Sequence, residues 1–200
     1  MQESGISVLR VATRVCCSVG LAAVLSHHPV FAQGATAADS TAATSEGQHD
    51  FDFEIGTWVM HRRRLLRPLT GSNDWVTTDG DRHIVRKVWA GRASLAELEV
   101  DSPTPHFVGS ILHLFNPQTG QWSLYWASTK DGSVAAPMIG QFKKGRGEFF
   151  DQETVHGAAI LVRVTYSDIT PTSFRTERAF SDDWGKTWET NSIDIYARQQ

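Results

Sequence analysis

Residues 108–128 read VGSILHLFNPQTGQWSLYWAS, and this stretch decides the fold class. Apolar side chains alternate with other side chains on both sides of residues 116–120, and such alternation is typical of strands with one buried face. The intervening NPQTG is typical of a tight turn, because Pro and Gly set its backbone angles. The stretch therefore predicts a β-hairpin with the apolar sets Val108, Ser110, Leu112 and Leu114 in one strand and Trp122, Leu124 and Trp126 in the other.

The same alternation recurs through the chain from residue 51 onward. It is clear at Ile160, Val162, Val164 and Tyr166, and turn residues interrupt the pattern at 70–73, 79–81, 130–132, 144–147 and 182–185. About ten short strands result, and no stretch has the 3.6-residue periodicity of an amphipathic helix. An open sheet of that size would leave long unpaired edges. Because the turns are local and evenly spaced, the prediction is an all-β fold, a single up-and-down antiparallel β-barrel.

The first residues have the features of an export signal. Arg10 and Arg14 precede an uncharged run at 15–33, and Val30-Phe31-Ala32 places small or aliphatic residues where a signal peptidase cleaves. A transmembrane anchor is less favoured, since Pro29 and its polar neighbours interrupt the run before it reaches the ~20 residues that a bilayer needs. We therefore predict a periplasmic or secreted protein with a signal peptide at 1–32, a disordered tether at 33–47 and a barrel domain at 48–200.

The composition limits how the predicted barrel can be stabilised and which classes of partner it can bind. Both cysteines, Cys16 and Cys17, lie in the predicted signal peptide, so the barrel must be stabilised by packing without disulfides. The formal net charge of −3 becomes −4 once residues 1–32, with two Arg and one Glu, are removed. This argues against nucleic acid and anionic membrane as partners; no membrane span is predicted after processing, and the oligomeric state stays open. The six histidines after residue 32 lack metal-ligand spacing. Neither a nucleophile elbow nor a phosphate loop is present, so no metal and no cofactor is predicted.

The block at 49–58, HDFDFEIGTW, is the most distinctive in the chain. It resembles the start of a family of uncharacterised exported bacterial domains and, more distantly, the Gly-x-Trp start of the calycins, the superfamily of lipocalins and fatty-acid-binding proteins. The resemblance implies a calycin-like barrel in which Gly56 allows a close turn, Trp58 closes one end, and Arg198 lies across Trp58. Nitrobindin-type haem barrels share this beginning, but their longer glycine-containing signature is absent after Trp58, so haem is not expected.

The segment SDDWGKTW at 181–188 matches the Asp-box pattern Ser-x-Asp-x-Gly-x-Thr-Trp. The pattern predicts a hairpin turn in which Asp183 bonds backbone amides, Gly185 takes a positive φ and Trp188 packs beneath. In sialidases such turns lie far from the chemistry. The match therefore predicts a structural role and no glycosidase activity.

The aromatic content indicates what such a barrel does. All seven Trp lie in the predicted barrel domain, more aromatic surface than closing its ends requires. The leading hypothesis is a binding barrel for a small, partly apolar or amphipathic molecule. Its candidate pocket residues are Trp58, Met60, Arg62, Glu97, Trp126, Met138, Arg163 and Glu177.

Two other functions compete with binding. A barrel enzyme of the isomerase or cyclase type would use a lumen carboxylate, Glu97 or Glu177, with His61 or His113 as acid or base. An envelope interaction module would have a filled barrel and an exposed apolar patch on its outside. Binding is favoured over catalysis, since alternation directs most charged side chains of half-buried strands outward.

Overall fold

Residues 47–100 and 107–200 are described by a computed structural model, and the predicted signal peptide lies outside them. The predicted tether also lies outside them except for Gly47, whose carbonyl accepts a hydrogen bond from Trp122 Nε1 (3.1 Å). The two boundaries at 32 and 47 therefore stay predictions. The described residues form two 3₁₀ helices, η1 (Asp52–Glu54) and η2 (Trp89–Gly91), and the strands β1 (Gly56–Leu65), β2 (Trp75–Val88), β3 (Ala93–Val100), β4 (Phe107–Asn116), β5 (Gln121–Ser128), β6 (Ser133–Val134), β7 (Met138–Lys143), β8 (Arg146–Val155), β9 (Ala158–Ser167), β10 (Ser173–Ser181) and β11 (Glu189–Arg198).

The strands form one closed antiparallel sheet. Successive strands pair from β1 to β5 and from β7 to β11, while β1 pairs with β11 and β5 with β7. The two-residue β6 pairs with β5 alone and is not one of the strands that close the barrel. Residues 47–100 and 107–200 therefore form a closed ten-stranded up-and-down barrel with almost no helix, which confirms the predicted fold class.

The hairpin at 108–128 forms as predicted, but the face predicted for its first strand is wrong. In β4 the residues that pair with the inward-facing Trp122 and Leu124 are Phe115 and His113. The inner face of β4 is therefore Gly109, Ile111, His113 and Phe115, and the predicted set points outward. The strand carries apolar residues on both faces, so alternation alone did not distinguish them.

The predicted turn at residues 79–81 is also wrong. These residues lie inside β2, where the register against β1 shifts between Met60 and His61. Gly80 takes a φ of 93° at this point. The shift leaves Gly80 without a partner in β1, as in a β-bulge that needs a positive φ, so this glycine bends a long strand and does not end it.

One end of the barrel is closed by the chain that precedes β1. Phe51 enters the lumen and stacks on His113 (4.2 Å between ring centroids). Trp58 is fully buried and donates from Nε1 to the carbonyl of Glu54 (2.7 Å). The guanidinium of Arg198 lies 4.1 Å from the Trp58 ring centroid, where the calycin resemblance predicts it.

Arg198 also holds the closing segment by its backbone. Its guanidinium donates to the carbonyls of Phe53, Ile55 and Pro171, each at 2.8 Å. Gly56 has a φ of 134°, and a Cβ there would collide with the same guanidinium. The Gly-x-Trp start and the end of the last strand thus form one closure of the barrel. Glycine is required at position 56, because a Cβ has no room there and because the backbone takes a positive φ.

The Asp-box segment forms the predicted turn. Asp183 Oδ1 accepts backbone hydrogen bonds from Lys186 (3.0 Å) and Thr187 (2.9 Å). Gly185 has a φ of 84°, and Trp188 Nε1 donates to its carbonyl (3.2 Å). The hydrogen bonds from Thr187, together with those from Ser181 and Lys186, lower the pKa of Asp183 to about 2.

Arg198→Ala should lower the free energy of unfolding by about 2 kcal/mol, because three charge-assisted hydrogen bonds and the contact with Trp58 are lost together. The control is Arg163→Ala, which removes a guanidinium 4.5 Å from the Trp188 ring on the outer wall and should cost under about 1 kcal/mol. Urea unfolding measures both. Equal losses in the two variants would contradict the closure described above.

Asp183→Ala should lower the thermal unfolding midpoint by a few degrees at pH 7. The folded pKa of Asp183 lies below its ordinary value of 3.8, so its contribution is present above about pH 4 and is lost as the pH falls through 2. The difference between wild type and variant should therefore narrow between pH 4 and pH 2. Asp182→Ala, at the exposed neighbour, is the control and should leave the midpoint unchanged; a pH-independent difference for Asp183→Ala would refute the assignment.

Candidate functional site

The lumen has two halves that differ in solvent access. In the packed half, near η1, most of the large inward side chains are almost completely buried, with relative exposures of 0–2 % at Phe51, Trp58, His113, Phe149 and Phe174. In the open half, at the opposite end, several inward side chains keep part of their surface exposed. They include Arg62, Trp126, Met138, Glu153 and Arg178.

Strand register shows that the charged side chains of the open half face the lumen. Arg178 pairs with Val164, which pairs in turn with the fully buried Phe149. Glu153 pairs with Ile160, which is 2 % exposed. Yet the side chains of Arg178 and Glu153, which form an ion pair, are 37 % and 38 % exposed. A side chain that faces inward and stays this exposed is reached by solvent through the mouth of the barrel.

The apolar side chains of the open half lie on the facing wall. Met138 pairs with the buried Leu124 and packs against both hydrophobic clusters of the barrel. Trp126 pairs with Ile111, and its ring occupies the space where a Cβ of Gly109 would lie. Both Met138 and Trp126 are only half-buried. They give this part of the lumen an adaptable, polarisable surface.

A half-buried ion pair lies at the border between the open half and the packed half. Arg62 Nε donates to Asp194 Oδ1 at 2.9 Å, and its Nη2 also reaches Met60 Sδ at 3.4 Å. Burial disfavours the charged guanidinium, but the charge and hydrogen bonds of Asp194 outweigh that effect and raise the pKa of Arg62. Burial likewise raises the pKa of the neighbouring Tyr196. The lumen thus contains a permanent cation and a neutral phenol next to apolar surface.

Glu54 forms a second buried charged cluster, in the packed half. Its Oε1 lies 3.0 Å from His83 Nε2, and its Oε2 lies 3.4 Å from His113 Nδ1. The three side chains are 0–3 % exposed. Ser94 Oγ completes the cluster at 3.0 Å from His113 Nδ1.

Burial and mutual contacts shift the pKa values of Glu54 and His113. Desolvation lowers the pKa of His113 to about 4, although the neighbouring Glu54 carboxylate acts in the opposite direction. Desolvation opposes the Glu54 charge too, but His113 and His83 outweigh it and lower the pKa of Glu54. The carboxylate therefore stays ionised in the core. Because Glu54 belongs to η1, this contact ties the closing segment to β2 and β4.

The eight candidate pocket residues are divided between the two sides of the barrel wall. Five face the lumen: Met60, Arg62, Trp126 and Met138 near or in the open half, and Trp58 in the packed half.

The other three candidates face outward, and their assignment to the lumen is corrected. Glu97 lies between the buried Ala96 and Leu98 and forms an ion pair with Arg86. Glu177 forms an ion pair with Arg175. Arg163 lies over Trp188 on the outer wall. Alternation explains all three positions, because each is flanked by inward-facing neighbours.

The histidines proposed for the enzyme alternative also separate. His61 is exposed and bonds Asp79 (2.6 Å), whereas His113 meets Glu54 and neither of the carboxylates proposed for it. Glu54 and His83 were not predicted as a pair. Glu54 is a lone acidic residue between Phe53 and Ile55, and that apolar setting is the signal by which it could have been identified.

Comparison with solved structures agrees with the barrel fold. The S-type phycobiliprotein lyase CPES from Guillardia theta superposes with a TM-score of 0.50 over 76 % of this chain and 92 % of that chain, at 11 % identity. Likeness at this identity shows a shared barrel fold alone. No family model and no curated protein matches the chain, so the resemblance to an uncharacterised exported family stays a prediction.

Within residues 47–100 and 107–200, no helix is long and apolar enough to span a bilayer. Over the same part of the chain, no group of three or more His, Cys, Asp or Glu side chains is placed to hold a metal ion.

Glu54→Gln should lower the free energy of unfolding by about 2 kcal/mol at pH 7, since both imidazoles lose a buried anionic partner. The folded pKa of Glu54 is below its ordinary value, so the loss should shrink as the pH falls below about 4. The control is Glu97→Gln on the outer wall, with an expected cost below about 0.5 kcal/mol. A small, equal effect of both substitutions in urea unfolding would show that Glu54 does not hold the closing segment.

Proposed function

We propose that this protein is an exported binding barrel that takes a small, partly apolar molecule into the open half of its lumen. The observation that supports this best is that Arg178 and Glu153 face the lumen at the open end and yet are 37 % and 38 % exposed. Protein interiors are normally packed to crystal-like density, as the packed half is. Solvent exposure of side chains that face the lumen therefore supports the presence of a space that a ligand can enter. Export rests on the predicted signal peptide.

The side chains of the open half support the chemical class. Met138 and Trp126, both half-buried, provide apolar, polarisable contact surface. Arg62 and Arg178 provide guanidinium groups that bind a polar or acidic group through paired hydrogen bonds. An amphipathic molecule fits such a surface, because each of its parts has a counterpart in the lumen.

One observation favours the interaction module as a second candidate. The outward faces of β4 and β5, together with β6, form a depression of about 300 Å³ lined by Ser110, Leu112, Leu114, Tyr125, Ala127 and Val134. Val134 is 67 % exposed. An apolar surface on the outside of a sheet is typical of contact with another molecule. This candidate predicts that association depends on the outer wall and not on the lumen.

Met138→Trp tests the binding function, because the larger ring would fill the open half. We expect the variant to bind at least about tenfold more weakly than wild type whichever of dodecanoate, farnesol or phenylpropanoate wild type binds best, measured by calorimetry. The control is Ile139→Trp, whose neighbouring side chain points outward and is 37 % exposed; it should bind like wild type. If wild type binds none of the three compounds, or both variants bind equally well, the proposal is wrong.

A further inference from the structure

We propose that the side chain of Leu69 occupies the place that the aliphatic end of the ligand takes when it binds. The inference rests on the proposed function and specifies it: the ligand has an aliphatic tail, and Leu69 is the built-in substitute for that tail. Leu69 belongs to the loop at 66–74, which connects β1 to β2 at the open end of the barrel.

Leu69 packs into a separate hydrophobic cluster at the open end. The cluster has Ile160, Val162 and Phe180 as its buried members, and Met138 and Val155 complete its surroundings. Four of these five side chains are aliphatic or a thioether, and Ile160 and Val162 belong to the inner face of β9. We call this surface the Leu69 seat. Apart from Phe180, its lining is non-aromatic and adaptable in shape, which suits an alkyl chain.

The conformation of Leu69 is unusual for its residue type. Its φ is 61°, in the left-handed region that a bulky branched residue rarely adopts. Such a conformation persists only where surrounding contacts hold it, and it is often found at functional positions. Packing of Leu69 in the seat therefore stabilises this loop conformation, whereas the backbone angle that the packing requires destabilises it.

The loop has few other attachments to the barrel. Among the described residues, its one hydrogen bond to another element is from the Leu69 N–H to Glu189 Oε1 (2.6 Å). Its remaining bonds lie within the loop, such as Leu66 N–H to the Asp74 carbonyl (2.9 Å) and the Arg67–Asp74 ion pair. A ligand tail that replaces the Leu69 side chain therefore breaks one hydrogen bond and leaves the loop's own structure intact.

The seat adjoins a polar group that fits the other end of an amphipathic ligand. The Arg178 guanidinium lies 4.6 Å from the ring centroid of Phe180, a member of the seat. Its partner Glu153 pairs with Ile160, another member. An aliphatic tail in the seat thus places an attached acidic head beside Arg178. The chemical class is a molecule with an alkyl tail and a polar or acidic head.

The test uses dodecanoate, whose alkyl chain ends in a free methyl group, and compares the affinities of variants at two leucines of one loop by calorimetry. Leu69→Ala should bind this probe about five- to tenfold more tightly than wild type, because the tail no longer competes with a packed side chain. Leu66→Ala is the control, since Leu66 is 56 % exposed and belongs to neither hydrophobic cluster. It should bind like wild type. Glu189→Gln weakens the bond to Leu69 without removing a side chain and should shift affinity in the same direction, which guards against misfolding of Leu69→Ala.

Hydrogen exchange of the Leu69 amide in wild type gives an independent readout. Saturating dodecanoate should speed its exchange, because Leu69 leaves the seat and its bond to Glu189. Unchanged affinity in Leu69→Ala and Glu189→Gln, or unchanged exchange at Leu69 while wild type binds dodecanoate, overturns the Leu69 inference alone. Binding of phenylpropanoate in the lumen without any binding of dodecanoate overturns it as well. If wild type binds none of the compounds, the proposed function fails with it.

Discussion

The carboxylate of Glu54, held between His83 and His113 inside the barrel, is the constraint on which the rest of the structure depends. A buried charge is tolerated only where partners compensate its desolvation, so the position of η1 in the lumen is narrowly determined. Phe51, three residues earlier, then has one place to pack, among the aromatic rings of the packed half. Arg198 covers the same segment from outside and joins the last strand to the first.

That arrangement fills one half of the barrel and leaves the other half to different chemistry. The closing segment is short, so its side chains reach only the packed half. Beyond it the lumen is lined by the Arg62–Asp194 pair, the Arg178–Glu153 pair and a few half-buried apolar side chains. Apolar side chains of similar volume would often be at least as stable as such ion pairs, so stability alone does not account for them. We propose that they recognise a polar group, and the binding proposal therefore lies in this half.

The architecture was predictable from the sequence, whereas the side of each strand that faces the lumen was less predictable. Evenly spaced turns predicted the closed barrel, and local motifs with fixed chemistry, Gly56 to Trp58 and the Asp box, predicted their own geometry. Strand facing failed at β4 and at Glu97, because a shift of one residue exchanges the two faces and both faces of those strands contain apolar residues. Glu54 and His83 lie 29 positions apart, and their contact depends on register that local pattern does not contain.

The division of the lumen can be measured directly on its two methionines. Apart from Met1, the chain contains only Met60, which is fully buried, and Met138, which is half-buried in the open half. Methyl NMR of ¹³C-methionine protein with a small soluble nitroxide radical should broaden the Met138 resonance strongly and leave that of Met60 sharp. Equal protection of both methyl groups would mean that the barrel is filled from end to end, and would contradict a ligand site in its lumen.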